Sequence, residues 1–194
     1  MGGGADGVAY FGNLETVSKK AVSFLKKQGY VKSMINWGDK FSLWPVHLMT
    51  SCCGTEFAAA SGPRFDLERL GFLPFGGPRQ TNLIVIEGTT TLKMARSVRI
   101  VWEQMPAPKW VIAMGACAMD GGIFYDSYNT VPAKDIVPID IFLAGCPPRP
   151  EALARAVVML QESIVKNRPP AADIQVTAAP ATPGPKDVVE AVSK

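Results

Sequence analysis

The sequence predicts an α/β protein built on a mostly parallel, doubly wound sheet. One observation is the regular alternation of short apolar segments, rich in β-branched residues, with amphipathic segments between residues 82 and 166. The other is composition: 47% of the 194 residues are hydrophobic, enough to bury a core without disulfide bonds. We therefore expect one main domain, at residues 42–167, between an N-terminal extension and a C-terminal tail.

The first predicted strand covers residues 82–87, a run of Leu, Ile and Val that is typical of a strand buried on both faces. The Gly-Thr-Thr segment at residues 88–90 can turn the chain and cap a helix that runs to residue 104. A Met-Pro-Ala-Pro segment ends that helix. Its apolar residues recur at helical spacing and predict its inner face: Leu92, Ala95, Val98, Val101 and Trp102.

Two further strands are predicted at residues 110–115 and 139–143, again from short apolar runs. Pro150 then opens a last helix, since proline is favoured at the first helical position. The apolar residues of this helix are also in register: Leu153, Val157, Leu160 and Ile164. Strands that alternate with helices in this way imply parallel pairing.

The flanking segments have a different character. Residues 1–41 form the predicted extension, with an amphipathic helix at residues 13–28 that has lysines opposite an apolar face: Leu14, Val17, Ala21, Phe24 and Leu25. This helix either packs on its own domain or lies on a partner or a membrane surface. Residues 30–49 are rich in large apolar side chains and indicate an interface or a pocket wall. Residues 168–194 are rich in Pro and Ala and predict a flexible tail.

Charge and hydropathy limit the function classes. The net charge is +3, from 20 basic and 17 acidic residues, which is too weak to favour nucleic acid as a partner. No apolar run approaches the roughly 20 residues of a membrane span. We expect a soluble or peripheral protein, without a secretory signal peptide.

The chain has four cysteines, and their positions are its most informative feature: Cys52, Cys53, Cys117 and Cys146. Cys117 follows the second predicted strand and Cys146 follows the third. The carboxyl ends of parallel strands meet at one edge of a sheet, where ligands bind. If the adjacent pair folds over this edge, four thiols face one site. Four thiolates are the ligand set of a 4Fe-4S cluster or of a structural zinc ion.

These cysteines have three other interpretations. A disulfide framework is disfavoured because nothing indicates secretion and adjacent cysteines pair only through a strained ring. Zinc stays open, although the short C-x(2–4)-C spacing of structural zinc sites is absent from the sequence. Ordinary buried thiols are also possible, but they do not explain why glycine or proline accompanies every cysteine.

Several motifs together resemble the 20 kDa, or PSST-type, subunit of the respiratory complex I family. The similarity covers about residues 42–161, and its segments include Ser42-Leu43-Trp44-Pro45, Pro78-Arg79-Gln80, Glu87-Gly88-Thr89, Met114-Gly115-Ala116-Cys117-Ala118 and Gly145-Cys146-Pro147-Pro148-Arg149. Departures from the usual pattern after the paired cysteines fit a divergent branch, such as an archaeal complex I-like dehydrogenase fed by reduced deazaflavin.

The resemblance implies a flavodoxin-like fold and one terminal 4Fe-4S cluster held by the four cysteines. It implies a cavity for a quinone, or a methanophenazine-like acceptor, shared with a larger subunit that is related to hydrogenase large subunits. The other implied partners are a ferredoxin-like 4Fe-4S subunit and the membrane-arm subunits, which would translocate ions. The chain would then be a non-catalytic component of an oxidoreductase, bound peripherally at the cytoplasmic face of the cell membrane.

Candidate site residues follow from this resemblance and from residue chemistry. The nominated acceptor pocket consists of Trp44, Thr55, Glu56 and Phe57, with His47, the only histidine, as a weaker candidate for a proton donor. Cations near the cluster would come from Arg79, Arg64 or Arg149, with Arg79 favoured. Two competing functions are a hydrogenase-type electron-transfer small subunit and a zinc-stapled structural subunit.

Overall fold

The computed structural model describes residue 18, residues 23 and 24, and residues 29–166. By its internal contacts the chain divides into two units, Met1–Gly38 and Asp39–Lys194. The second unit contains the sheet and all four cysteines.

Two predictions for the flanking segments lie outside the described residues. They are the flexible tail at residues 168–194 and most of the amphipathic helix at residues 13–28. Of that helix, only Ser18, Ser23 and Phe24 are described, and all three are helical.

A four-stranded sheet, in which every neighbouring pair is parallel, forms the centre of the second unit. Its strands are paired in chain order: β1 (Pro45–Met49), β2 (Leu83–Glu87), β3 (Trp110–Met114) and β4 (Ile141–Leu143). The α-helices are α1 (Gly29–Phe41), α2 (Cys53–Ser61), α3 (Leu92–Gln104), α4 (Ala116–Asp120) and α5 (Pro150–Val165). Short 3₁₀ turns occur at Leu67–Leu70, Pro78–Gln80, Gly122–Phe124 and Ala133–Asp135.

The structure confirms the three predicted strands as β2, β3 and β4, and the two predicted helices as α3 and α5. One detail was wrong. The cap of α3 is not the segment at residues 88–90 but Thr91, whose hydroxyl accepts a hydrogen bond from Met94 N at 3.3 Å. The sequence did not predict α1, β1 or α2 as elements. Both β1 and α2 have weak local patterns, since β1 begins with proline and α2 contains glycine and threonine near its start.

The direction in which the chain adds segments to the sheet reverses between β1 and β2. Beyond β1, on the edge away from β2, Leu43 forms a parallel bridge with Phe72. Leu73 N donates to Leu43 O at 3.1 Å on this side, whereas Leu83 N and Asn82 N donate to Trp44 O on the β2 side. The connection through α2 thus leads outward from one side of β1, and all later strands add on the other side. In an open α/β sheet, the carboxyl end of such a switch point is where ligands bind.

Helices cover both faces of the sheet, which confirms the doubly wound α/β prediction. On one face, Val85 and Ile112 pack with Phe57 of α2 and with the inner residues of α5, which are Leu153, Val157, Leu160 and Ile164. On the other face, Ile84 and Val111 pack with α3 and α4 through Ala95, Val98 and Ala118. Residues that alternate along each strand therefore serve two separate core layers.

Within the described residues, no helix is both long enough and apolar enough to cross a membrane.

Candidate functional site

The carboxyl edge of the sheet is defined by one row of residues in register. Met49 pairs with Glu87, Glu87 with Met114, and Met114 with Leu143. Three of these four strands lead to a cysteine at the same offset: Cys52, Cys117 and Cys146 each follow the row by three residues. Strand β2 has Thr90 at that offset, and its row residue is a glutamate. The predicted convergence of the cysteines on one edge of the sheet is thus present.

Backbone hydrogen bonds tie the cysteine loops to their neighbours. Gly115 N donates to Leu143 O, and Ala116 N donates to Gly145 O, both at 2.8 Å, so the start of α4, which carries Cys117, is joined to the loop that carries Cys146. Next to them, Ser51 N donates to Glu87 O at 3.2 Å. Thr89 N donates to the Ser51 hydroxyl at 3.0 Å, which joins the loop before Cys52 to the end of β2.

The four thiols differ in burial. Cys53 and Cys117 are buried, whereas Cys52 and Cys146 are exposed, and none is in a disulfide. Burial, together with the neighbouring thiols of Cys52, Cys117 and Cys146, raises the pKa of the Cys53 thiol to about 12. The Cys53 thiol therefore interacts electrostatically with each of the other three cysteines. At neutral pH this thiol keeps its proton. A metal ion that bound here would displace the proton, and its positive charge would stabilise the resulting thiolate.

Glycine at position 115 gives Cys53 its space. Gly115 has φ +91°, and a Cβ atom placed on it would lie 2.4 Å from Cys53 Sγ. Gly88 has φ +97°, and its Cβ would lie 3.5 Å from the same sulfur and 1.9 Å from Ser51 Oγ. Residues with a side chain rarely adopt this backbone conformation, and the neighbouring atoms leave no space for a Cβ. Both positions therefore favour glycine for two independent reasons.

The donor set fits a thiolate-ligated group in its chemistry. Two buried and two exposed thiols stand at the edge of the sheet where α/β folds bind ligands, and α2 directs its positive N-terminal end toward them because Cys52 is its N-cap. As the side chains stand, no group of three or more His, Cys, Asp or Glu in the described residues could hold a metal ion. The assignment of the four cysteines as cluster ligands is therefore a prediction.

A cavity of about 300 Å³ lies beside this edge, between β1 and α2. Its lining is mainly apolar: His47, Met49, Phe57, Ala58, Ser61, Gly62 and Pro74. The rings of His47 and Phe57 are stacked, with centroids 5.2 Å apart and planes 15° from parallel. Phe57 in turn packs on Phe72, at 5.8 Å between centroids. The cavity therefore has an aromatic wall whose one titratable side chain is His47.

Glu87 is buried directly behind His47. It is 0% exposed, and both of its carboxyl oxygens lack a hydrogen-bond partner among the described residues. Its Oε1 lies 3.8 Å from His47 Nδ1, which is also buried and without a hydrogen-bond partner in that part of the chain. Burial raises the pKa of Glu87 from 4.5 to about 8, so the carboxyl is mainly protonated at neutral pH.

The structure separates the four nominated pocket residues. Phe57 is buried and lines the cavity, whereas Trp44, Thr55 and Glu56 are not among its lining residues. Trp44 is 37% exposed and packs against Phe75 at 5.7 Å. Thr55 is exposed, and Glu56 is half-buried.

Two of the three nominated arginines, Arg79 and Arg64, stand apart from the carboxyl ends of the strands that the thiols follow. Arg79 is exposed in the 3₁₀ turn that precedes the amino end of β2, whereas the thiols follow the carboxyl ends. Five strand residues, about 16 Å, separate these two edges. Arg64 is exposed beyond the far end of α2 and lies over the Phe65 ring at 5.4 Å. Arg149, the N-cap of α5 three residues after Cys146, is the candidate that follows a carboxyl end.

Sequence reasoning missed Glu87 as a site residue, although it noted the Glu87-Gly88-Thr89 motif. A signal was present, because a single acidic residue ends an otherwise apolar strand immediately before a glycine. A carboxylate in that position must be buried with its strand, and buried carboxylates are rare unless paired.

The chain is similar to known proteins over most of its length. The family model described as NADH ubiquinone oxidoreductase, 20 Kd subunit, matches residues 51–160. Among curated relatives, a chloroplastic NAD(P)H-quinone oxidoreductase subunit of Adiantum capillus-veneris is 51% identical over 140 residues, which are 71% of this chain and 56% of that protein. The match thus spans little more than half of that relative's length.

Two archaeal proteins are also similar. A subunit of the F(420)H(2) dehydrogenase of Methanosarcina mazei is 46% identical over 154 residues, which are 79% of this chain and 83% of that protein. A chain in the structure of the membrane-bound sulfane sulfur reductase, an archaeal respiratory membrane complex, superimposes with a TM-score of 0.69 at 38% identity. That alignment covers 72% of this chain and 79% of the other.

Proposed function

The chain belongs to the family of the 20 kDa subunit of NADH ubiquinone oxidoreductase, and from this membership we propose that it is the electron-transfer subunit of a complex I-type respiratory enzyme. In this proposal, four cysteines hold one 4Fe-4S cluster at the carboxyl edge of the sheet: Cys52, Cys53, Cys117 and Cys146. When bound, such a cluster carries one electron at a time. The observation that carries the proposal is the common offset of three of these cysteines from one row of the sheet.

The protein's own residues would do three things for this group. The thiols would bind it, the glycines at 88 and 115 leave room for the Cys53 sulfur, and the first turn of α2 places positive backbone charge against an anionic site. Burial of Cys53 and Cys117 keeps water from half of the ligand set. These features would shape the reduction potential of the site through burial and nearby dipoles.

The acceptor we propose is a quinone or a quinone-like molecule. The cavity beside the cysteines has an aromatic and aliphatic lining with few polar groups, which suits a flat, weakly polar ring. Phe57 and His47 form its wall, and Phe57 is four residues after Cys53 on α2. An acceptor in this cavity would thus lie one helical turn from a cluster ligand.

We further propose that the chain works only within a larger assembly. Its partners would be a larger subunit related to hydrogenase large subunits, a ferredoxin-like 4Fe-4S subunit and ion-translocating membrane-arm subunits. The relatives that support this are the F(420)H(2) dehydrogenase subunit and the subunit of an archaeal respiratory membrane complex. We place the chain peripherally, at the cytoplasmic face of the membrane.

Low-temperature EPR spectroscopy of the dithionite-reduced complex tests the cluster directly, together with iron and zinc analysis of the chain. We expect about four irons per chain and an S = 1/2 signal that is lost in Cys53→Ser. The control is Glu162→Gln, at an exposed position on α5 whose carboxylate lies 4.0 Å from Lys166, and it should keep both. Stoichiometric zinc without a signal would overturn the electron-transfer function and leave a structural subunit.

A further inference from the structure

Two polar groups on neighbouring strands face each other without other partners. Among the described residues, Glu87 is the only buried carboxylate, and its oxygens make no hydrogen bond there. In a parallel pair, residues in register point to the same face of the sheet, so His47 and Glu87 both point toward α2. The 3.8 Å between Nδ1 and Oε1 is slightly too long for a hydrogen bond, and such contacts often tighten when a ligand binds.

The cost of burial decides which group carries the proton. An unpaired ionised carboxylate in the interior is highly unfavourable, whereas a neutral carboxyl can donate its O–H. Burial raises the pKa of Glu87 to about 8, in agreement with a neutral group. The titratable side chain that faces it is His47 on β1, with Nδ1 at 3.8 Å from Oε1. A protonated Glu87 can therefore donate to Nδ1 of His47.

This donation fixes the state of the imidazole. A neutral histidine that accepts at Nδ1 must carry its own proton at Nε2. Stacking on Phe57 holds the plane of the ring. Since Nδ1 is buried and the side chain is 36% exposed, the exposed part of the ring is the opposite edge, which carries Nε2. His47 thus presents one N–H donor at the wall of an otherwise mainly apolar cavity.

We propose that Glu87 is a positioning residue that holds His47 in its Nε2–H tautomer, and that His47 donates this N–H to a carbonyl oxygen of a ring-shaped acceptor in the cavity. A volume of about 300 Å³ is at the lower end for ligand sites and accommodates a single head group. The identity of this acceptor as an electron acceptor rests on the proposed function, whereas the state of the His47–Glu87 pair does not.

The tautomer can be measured directly because His47 is the only histidine of the chain. In the full chain labelled with ¹⁵N-histidine, NMR at pH 7 should show a neutral ring with protonated Nε2. Glu87→Gln should keep this state, since its amide N–H can also donate to Nδ1. Glu87→Met, of similar volume but without a donor, should lose the preference. A wild-type ring protonated at Nδ1, or an unchanged tautomer in Glu87→Met, would overturn the positioning role.

The binding role is tested in the complex with its native partners, using decylubiquinone as the probe. We expect His47→Phe and Glu87→Met to raise the apparent KM about tenfold, as for the loss of one hydrogen bond, with a smaller change in kcat. Glu87→Gln should rescue KM, and Glu103→Gln, an exposed partner of Arg99 on α3, is the surface control. An unchanged EPR signal in each variant shows that the complex is intact.

The outcomes separate the two proposals. Wild-type turnover with an unchanged KM in Glu87→Met and His47→Phe would overturn the His47 donor and leave the proposed function standing. An intact cluster signal with no wild-type reduction of decylubiquinone would overturn both the quinone acceptor and the donor role of His47. A missing cluster in the wild-type complex, with the predicted tautomer present, would overturn the proposed function alone.

Discussion

The carboxyl edge of the sheet has two halves that differ in how their polar groups are satisfied. At β3 and β4, the segments that lead to Cys117 and Cys146 are joined by two backbone hydrogen bonds of 2.8 Å. Between β1 and β2, the side chains of His47 and Glu87 include three buried atoms without a hydrogen-bond partner among the described residues. The cavity lined by His47 and Phe57 lies beside this second half.

The difference shows how one edge can serve two purposes. A ligand set for a permanent group benefits from fixed backbone segments, because these segments have already lost their conformational freedom before the group binds. A site for an exchanging ligand needs unsatisfied donors or acceptors, which cost stability while they are empty. The cavity lies at the topological switch point, whereas the proposed cluster ligands follow β1, β3 and β4 along the edge.

The largest effect should come from filling the space that the Cys53 sulfur occupies. Gly115→Ala would place a Cβ atom 2.4 Å from this sulfur and would strain a backbone at φ +91°. We expect loss of the cluster, measured as iron content and EPR signal. The control is Gly76→Ala, where a new Cβ would meet nothing within 4 Å. Full iron content in Gly115→Ala would show that the half of the edge at β3 and β4 tolerates movement.

Removing the aromatic wall should have the next largest effect. Phe57 is 3% exposed and contacts both His47 and Phe72, so Phe57→Ala should cost about 3–5 kcal/mol of unfolding free energy. Urea denaturation of the full chain measures this. Phe57→Leu keeps an apolar filling and should cost less. If both variants matched the wild-type protein, the wall would be unimportant for stability.

The half of the edge between β1 and β2 should also make the stability of the fold depend on pH. The folded pKa of Glu87, about 8, exceeds its ordinary value of 4.5. Between these values the unfolded chain has released its proton and the folded chain has not, so stability falls as pH rises. The slope is at most about 1.4 kcal/mol per pH unit, and it ends above pH 8. Glu87→Gln removes the titration.

The measurement is urea denaturation of the full chain at pH 5, 6, 7 and 8. The advantage of Glu87→Gln over the wild-type protein should widen steadily across this series. A difference in stability that stayed constant with pH would mean that Glu87 titrates normally. The surroundings of its carboxyl would then be better solvated than its burial indicates.

The smallest effect should come from the contact that closes the β1–β2 side. The Ser51 hydroxyl accepts a hydrogen bond from Thr89 N at 3.0 Å. Ser51→Ala should cost about 1 kcal/mol, the net value of one hydrogen bond, in the same denaturation assay. A loss as large as that of Phe57→Ala would show that this half is as tightly constrained as the loops at β3 and β4.

The sequence predicted the parts of the fold that local patterns determine. Strands β2 and β3 are apolar on both faces, and α3 and α5 have clear helical periodicity, so each was assigned within a few residues. Strand β1 was missed because its five residues include a proline and a histidine, and its pairing partner β2 begins 34 residues after it ends. Its status depends on tertiary contacts that a local pattern does not contain.

The candidate site was predicted to the same extent. The convergence of the cysteines followed from strand order alone, since parallel strands share one carboxyl edge. The pairing of His47 with Glu87 did not, because it needs the register of β1 against β2, which sets which residues point the same way. For the same reason Trp44, Thr55 and Glu56 were grouped with Phe57 by nearness in sequence, although they are not among the lining residues of its cavity.

Helix α2 makes a mechanical link between the cysteine site and the cavity. Cys53 and Phe57 are one turn apart on it, about 6 Å along its axis. A rigid helix cannot shift one of these residues and leave the other in place. A molecule that enters the cavity and displaces Phe57 would therefore also displace a thiol, so spectroscopic lines that originate at Cys53 would report whether the cavity is occupied.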